Sequence, residues 1–326
     1  MNGATRAMRA AAIIAATFCG IAAACAQPAA YPTRPIKLIV SFAAGGVGDI
    51  VARILAEKLR ADLGQPIIVE NRAGGSGVIA MQATVRSEPD GYTLLQMSPS
   101  SVILPSFQSV PYDWERDLIP VAGIGSVPLV IAVHSRSGVR SIADLAAAAK
   151  STRGGLSYGS SGTGSVTHLA AVRLLQELKA DATHIPFRGN IGAVQALIAD
   201  QVQFIFATTA DVIEYEKSGD FRLVAVTSEK RVPNLPNVPT MSELKFTDFN
   251  PTIWYSYAVP AKTPIDAVNR LYESFAKAAG AADVQERLGA LGLTVSLSNG
   301  AEIGSLMRDD AVRWRRVIEQ SNIKLE

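Results

Sequence analysis

The sequence predicts an α/β fold of two domains with a cleft between them. From Tyr31 onward, short β-branched or apolar runs alternate with amphipathic segments, as a mostly parallel sheet covered by helices requires. Two strand-to-helix turns consist almost entirely of small residues, and two proline-rich passages interrupt the alternation. At 326 residues and 48% apolar content, the chain is long enough for two domains of ordinary size.

Residues 1–26 have the pattern of a cleaved secretory signal. Arg6 and Arg9 precede the apolar run 10–24, and the segment 24–26 is an A-x-A cleavage site before Gln27. That run is too short to cross a bilayer, and no later stretch of about 18 apolar residues follows, so we expect no membrane insertion. The alternative is cleavage before Cys25 with lipid attachment there, although residues 22–24 lack the usual large aliphatic side chain.

Cysteine and charge exclude several classes of function. Both cysteines, Cys19 and Cys25, lie in the leader, so the mature chain is expected to have no disulfide, zinc knuckle or thiol nucleophile. Two of the 31 basic residues and none of the 29 acidic residues precede Gln27, so the mature chain carries no net charge. We therefore expect no nucleic-acid partner, and no cofactor motif is evident.

Periodicity predicts the elements after the leader. A buried stripe at Ile50, Ile54, Leu55 and Leu59 predicts the first helix. The predicted strands are 36–42, 67–70, 93–97, 129–134, 156–158, 182–186, 204–206, 223–227 and 254–259, and the predicted helices are 49–63, 141–150, 165–178, 191–199, 264–278 and 301–320. Trp254, Tyr255, Tyr257 and Trp314 fit packing positions within these elements.

Two Pro- and Gly-rich passages, 120–128 and 233–251, are interpreted as crossings between domains. If the chain crosses twice, residues 27–126 and 250–326 form one domain and residues 127–249 form the other. Two domains joined by narrow crossings leave a cleft and can hinge.

The turns "SFAAGGVGDI" and "LSYGSSGTGSVTHLA" each end a strand and open a helix. Such a turn directs free backbone N–H groups and the positive end of the helix dipole at the space above the sheet. A small anion, and a carboxylate in particular, would suit two such turns. Asp49 is interpreted mainly as the N-cap of its own helix, because an ionised carboxylate would repel an anionic ligand. Neither turn contains a phosphate-binding motif.

Catalysis is not supported by any motif. Ser160, Ser161 and Ser165 lie near His168, but no G-x-S-x-G is present and His168 is on the same helix as Ser165. The three histidines lack the spacing of a metal site. Arg188 follows a strand near the same rim, where it could contact a ligand or, as the preferred interpretation, clamp loop carbonyls.

Taken together, these motifs resemble one family. The stretches "YPTRPIKLIVSFAAGGVGDIVARILAEKL", "PIIVENRAGGSG", "PDGYTLL", "YGSSGTGSVTHLA", "HIPFRGNIGAVQALIADQVQFIF", "RLVAVTSEKRVPNLPNVPTMSEL" and "WRRVIEQSNIKLE" are similar to the Bug receptors, solute-binding proteins of tripartite tricarboxylate transporters. The resemblance runs from Tyr31 to Glu326. It implies a type II periplasmic-binding-protein fold with a carboxylate held between two α/β domains.

The resemblance also implies which residues hold the ligand. One wall comprises Phe42, Ala43, Ala44, Gly45, Gly46 and Asp49, the other Ser160, Ser161, Gly162, Thr163, Ser165 and His168, with Ser98, Thr208 and Asp211 as weaker candidates at the rim. The first turn departs from the family pattern, since Val47 and Gly48 stand where a hydroxyl-bearing pair is common. This departure favours a more apolar or aromatic carboxylate.

The predicted function is therefore a periplasmic, non-catalytic, monomeric receptor that delivers a small carboxylate to permease subunits. Two alternatives remain: a ligand sensor for a membrane signalling kinase, which would use the same fold and site, and a periplasmic enzyme acting on small acids. The enzyme would require a nucleophile paired with a base, and the sequence shows none.

The leader generates the first prediction. We expect the exported protein to begin at Gln27 and to contain no cysteine. N-terminal sequencing and intact mass of protein recovered from the periplasm measure this, and a chain that begins at a lipid-modified Cys25 would contradict it.

Overall fold

A computed structural model describes residues 31–151 and 155–321, and the predicted signal lies outside them. Ten strands are present in this part of the chain. They are β1 (Ile36–Val40), β2 (Ile67–Asn71), β3 (Thr93–Met97), β4 (Leu118–His134), β5 (Leu156–Ser160), β6 (Ala182–Pro186), β7 (Phe204–Thr208), β8 (Phe221–Val226), β9 (Thr252–Pro260) and β10 (Thr294–Asn299).

The α-helices cover the strands, and most of them follow a strand across a turn or a loop of a few residues. They are α1 (Val47–Leu63), α2 (Val78–Val85), α3 (Pro99–Ile103), α4 (Trp114–Asp117), α5 (Ile142–Ser151), α6 (Val166–Leu178), α7 (Asn190–Ile198), α8 (Thr209–Ser218), α9 (Ile265–Gly280), α10 (Ala282–Ala290) and α11 (Gly300–Ser321). None of the helices in the described ranges is long and apolar enough to cross a membrane.

The strands pair in the order β2-β1-β3-β9-β4-β7-β5-β6, and β8 and β10 also pair with β4. β1 is parallel to β2 and β3, and β5 is parallel to β6 and β7. Every pairing of β4 is antiparallel, as is that of β3 with β9. The expectation of a mostly parallel sheet is therefore wrong for the middle of the molecule, where long antiparallel strands join two parallel groups.

Strand β4 runs through the passage interpreted from its prolines and glycines as a crossing loop. Its first part, 118–128, pairs with β9 and β10, and its second part, 129–134, pairs with β7 and β8. The register shifts between Pro120 and Ala122 and between Gly123 and Gly125, so the strand absorbs its irregular residues as bulges. The division into two domains at residues 126/127 and 249/250 stays a prediction.

Several elements lack a clear pattern in the sequence. β10 alternates between polar and apolar residues, but the run is short and its apolar Leu297 is exposed, so it was not predicted as a strand. The helices α2, α3, α4, α8 and α10 are short or weakly amphipathic, and packing rather than periodicity specifies them.

The large aromatic residues that were predicted to pack within these elements are buried. Trp254, Tyr257 and Trp314 are each less than 5% exposed, and the rings of Tyr257 and Phe275 stack at 4.4 Å. The indole N–H of Trp254 donates to Asp310 at 2.7 Å, which fastens α11 to β9. Tyr255 is equally buried, but its position at the site gives it a second role.

A substitution at Gly125 tests the bulge in β4. Gly125 has φ +146°, and an added Cβ would lie 2.1 Å from the carbonyl oxygen of Thr294 in β10. We expect Gly125→Ala to lower the free energy of unfolding by about 2 kcal/mol or more. Gly289→Ala is the matched control, since Gly289 is helical and nothing lies within 4 Å of its Cβ position. Urea unfolding of both variants measures this, and equal stability would contradict the expectation.

Candidate functional site

The first small-residue turn lies at the carboxyl end of β1 and leads into α1. Gly46 is the N-cap, and no side chain caps the first-turn N–H groups of this helix. Two amides of the turn are already bonded within the protein: Gly45 N–H donates to Asp49 at 2.9 Å, and Gly46 N–H donates to the Ala43 carbonyl at 3.2 Å. The donors that remain for a ligand are therefore closer to the helix, at Val47 and Gly48.

Asp49 is not the N-cap, which corrects the expectation from sequence. It lies in the first turn of α1, 3% exposed, where its carboxylate accepts hydrogen bonds from Gly45 N–H, Arg53 and Asn71. Burial acts to raise the pKa of Asp49, but these hydrogen bonds outweigh it and hold the pKa below its usual value. Its charge is balanced by Arg53 and directed away from the site, so it shapes the turn.

The ring of Phe42 explains why residue 48 is a glycine. A Cβ at Gly48 would lie 2.3 Å from the Phe42 ring, so only glycine allows this ring to pack on the start of α1. The Phe42 ring also meets the Tyr255 ring edge-on, with centroids 5.8 Å apart. The departure from the family pattern at this turn therefore makes room for an aromatic wall.

The second turn lies between β5 and α6, and its own hydroxyls shape it. Ser160 Oγ lies 2.6 Å from His184 Nε2 and accepts from Gly162 N–H. Thr167 Oγ1 lies 3.0 Å from both Ser161 Oγ and Ser165 Oγ. Most polar side chains of this turn thus hold the backbone in place.

Two histidine rings support this turn from behind. His168 and His184 stack with centroids 3.9 Å apart, and Tyr158 stacks on both of them. His168 Nδ1 accepts a hydrogen bond from Gly164 N–H. Burial, and then the neighbouring His184, lower the pKa of His168 to about 3, and burial lowers that of His184 to about 4. Both rings are neutral at physiological pH.

A third loop, residues 73–77, links the two turns. Gly74, Gly75, Ser76 and Gly77 all have positive φ, which three glycines make possible. Ser76 Oγ donates to the Thr163 carbonyl at 2.7 Å, so a hydrogen bond joins the wall that follows β2 to the wall that follows β5. The loop therefore closes one side of the space between the turns.

These three segments enclose a cavity of about 330 Å³. Eleven of the residues predicted for the site line it: Phe42, Ala43, Gly46, Ser98, Ser161, Gly162, Thr163, Ser165, Arg188, Thr208 and Asp211. Five do not: Ala44, Gly45, Asp49, Ser160 and His168. Of these five, Asp49, Ser160 and His168 hydrogen-bond to the turns, so they act on the site through its backbone.

Arg188 does not clamp loop carbonyls, contrary to the preferred interpretation. Its side chain is exposed at the rim of the cavity and has no hydrogen-bond partner among the described residues.

No metal-binding group of three His, Cys, Asp or Glu side chains occurs within residues 31–151 and 155–321.

The matches to known proteins agree with this geometry. Residues 51–323 match the tripartite tricarboxylate transporter family receptor. The chain belongs to this family of receptors. It is 34% identical over 299 residues to Protein BugT of Bordetella pertussis, which covers 91% of this chain and 92% of BugT. The predicted resemblance is confirmed.

Solved structures confirm the fold of the receptor. The periplasmic binding protein BugD has a TM-score of 0.85 at 31% identity, covering 91% of this chain and all of that one. MatC from Rhodopseudomonas palustris, solved with bound malate, has a TM-score of 0.82 at 28% identity, covering 88% of this chain and 100% of MatC. The receptor thus has the two-domain solute-binding fold.

Other residues of the receptor's cavity were not among those predicted. They include the loop 73–77, Phe187 and Asn190, and Ile253 and Tyr255 of β9. The glycines of "AGGSG" were a signal for the loop. Tyr255 carried none, because its position within an apolar strand is typical of a core residue.

The stacked histidines generate a pH prediction. Because their pKa values are lowered on folding, the stability they contribute is present above about pH 6.5 and is lost as the pH falls towards 4. We expect the free energy of unfolding to decline over this range by about 1.4 kcal/mol per pH unit for each fully titrating ring. His184→Gln should remove part of that slope, measured by urea unfolding from pH 4 to 8.

The measurement near pH 8 is the control. Both rings are neutral there in the folded and in the unfolded state, so the difference in unfolding free energy between the wild type and His184→Gln should not change with pH. Identical slopes for the two proteins between pH 4 and 6.5 would show that the stack does not titrate as the structure indicates.

Proposed function

We propose that this receptor captures a small carboxylate in the cavity and delivers it to the permease subunits of a tripartite tricarboxylate transporter. One observation carries the proposal: two small-residue turns, each at the start of a helix, line a single cavity and are joined across it by Ser76 and Thr163. Bound malate in the related MatC supports the choice of a carboxylate.

The ligand is held by neutral donors more than by fixed charge. The helices α1 and α6 begin at the cavity, and each directs the positive end of its dipole there. A hydrogen bond to a charged group contributes roughly 1.5–3 kcal/mol. Several such bonds, together with burial of the ligand's apolar part, supply micromolar binding, about 8 kcal/mol, against the cost of association.

The predicted site residues divide into two roles in this proposal. Residues that line the cavity, such as Gly46, Ser98, Gly162, Thr163 and Ser165, contact the ligand directly or through water. Asp49, Ser160 and His168 instead hold the backbone of the turns in a shape that accepts the ligand. The ligand's apolar part contacts aromatic residues, chiefly Phe42 and Phe187.

Delivery requires that the cleft open and close. The proposed domains, residues 27–126 with 250–326 and residues 127–249, rotate about the strands β4 and β9 where these pass between them.

The exported receptor is a monomer without catalytic activity. Ser160 Oγ lies 2.6 Å from His184 Nε2, but Ser160 is fully buried and neither residue lines the cavity, so the cavity presents no nucleophile paired with a base.

Two substitutions test how the carboxylate is held. Gly46 lines the cavity, and a Cβ there would lie 3.3 Å from the Ala43 carbonyl oxygen. We expect Gly46→Val to abolish binding, because its side chain blocks the approach of the ligand to the backbone. Arg188→Gln should weaken binding by no more than about tenfold, since an exposed ion pair contributes only about 1 kcal/mol.

Isothermal titration against the best acid from a small-acid thermal-shift panel measures both effects, with circular dichroism to confirm folding. If Arg188→Gln loses all binding while Gly46→Val keeps it, the carboxylate is held by the Arg188 guanidinium and not by backbone N–H groups of the turns.

A further inference from the structure

One side of the cavity presents hydrogen-bonding groups that the protein itself leaves unused. Tyr255 is 1% exposed and lines the cavity, yet its hydroxyl has no hydrogen-bond partner among the described residues. Burial raises the pKa of Tyr255, and the nearby Asp211 carboxylate raises it further, so the phenol stays protonated. A hydroxyl that lines a cavity without a protein partner is available to bond a ligand or water.

Asp211 and Asn190 lie on the same side. Asp211 Oδ2 accepts from Asn190 Nδ2 at 2.7 Å, from Thr208 Oγ1 at 2.6 Å and from Thr208 N–H at 3.2 Å. These contacts fix the Asn190 amide so that its Oδ1 is an acceptor, and this buried oxygen has no partner. The other oxygen of Asp211 is also without a hydrogen bond in the described part of the chain.

The charge of Asp211 is not balanced by a cation. Within the described residues it forms no ion pair, in contrast to Asp49, which is held by Arg53 and does not line the cavity. A ligand made only of carboxylates and methylenes would be repelled by Asp211 and would leave Asn190 Oδ1 unpaired. An ammonium group on the ligand there would satisfy both acceptors, and a hydroxyl, with its single proton, would satisfy one of them.

We propose that Asp211, Asn190 and Tyr255 form a specificity subsite for a hydrogen-bond donor on the ligand, so that the receptor selects hydroxy- or amino-substituted carboxylates over unsubstituted ones. An ammonium donates to both Asp211 and Asn190 Oδ1, whereas a hydroxyl donates to one of them and accepts a hydrogen bond from the Tyr255 hydroxyl. This inference rests on the proposed function, since it concerns the part of the ligand that lies away from the bound carboxylate.

Matched acids test the subsite. Each set has one carbon skeleton and differs only in hydrogen, hydroxyl or ammonium at C2: succinate, malate and aspartate; glutarate, 2-hydroxyglutarate and glutamate; 3-phenylpropanoate, phenyllactate and phenylalanine. Isothermal titration of the exported receptor is expected to give a donor-bearing acid a dissociation constant at least about tenfold below that of its unsubstituted partner. Whether the hydroxyl or the ammonium member binds more tightly identifies the donor.

Variants assign the selectivity to residues. In Asp211→Asn, and in Tyr255→Phe when the favoured donor is a hydroxyl, the advantage of the donor-bearing acid over the unsubstituted acid should fall below about threefold. Tyr255→Phe removes no hydrogen bond within the protein, so its thermal midpoint should match that of the wild type. Tyr257→Phe is the matched control: its hydroxyl accepts from Gln96 and is not at the cavity, so selectivity should be kept.

The outcomes separate the two proposals. If no acid of any set binds, the carboxylate-receptor function fails and the subsite fails with it. If acids bind but the unsubstituted members bind as tightly as the others, or if both variants keep the wild-type selectivity, the subsite alone is wrong.

Discussion

The ladder between β4 and β9 is the constraint on which the site depends. These antiparallel strands pair from Leu118 with Pro260 to Pro128 with Thr252, and they join the parallel group around β1 to the parallel group around β5. Each parallel group ends in turns that open helices. The ladder sets the distance between the two sets of turns, so that Ser76 reaches Thr163 and one cavity forms.

Alternation along β9 divides this ladder into two faces. Ile253 and Tyr255 line the ligand cavity, whereas Thr252 and Trp254 line a separate groove on the opposite face. In that groove the Trp254 indole donates to Asp310, whose pKa is raised by burial despite the nearby Arg313. One strand thereby contributes an aromatic residue to the site and an aromatic anchor for α11 behind it.

The polar residues of the turns serve mainly to shape backbone. Asp49 holds the first turn, and Ser160, Thr167 and His168 hold the second. Small residues bring the main chain close to a ligand, but they leave it too free to be a good binding surface unless other groups order it. This division of labour explains why neutral, buried histidines lie next to a site for an anion.

The sequence by itself determined the family, the α/β class and the two turns, because these depend on local patterns: strand periodicity, glycine in tight turns and the start of amphipathic helices. It also indicated eleven of the residues that line the cavity, which is fewer than half of its lining. Only the tertiary structure decided which polar groups face a ligand and which already have hydrogen-bond partners within the protein. Asp49 and Asp211 are both acids in the first turn of a helix, yet Arg53 and Asn71 surround Asp49, while Asp211 lies at the cavity and forms no ion pair with any described residue. Tyr255 and Tyr257 belong to the same apolar strand, but within the described part of the chain only the Tyr257 hydroxyl has a hydrogen-bond partner. Arg53 is a local partner of Asp49, four residues along the helix, but Asn71 is 22 residues from Asp49 and Gln96 is 161 residues from Tyr257, and no local pattern encodes these contacts.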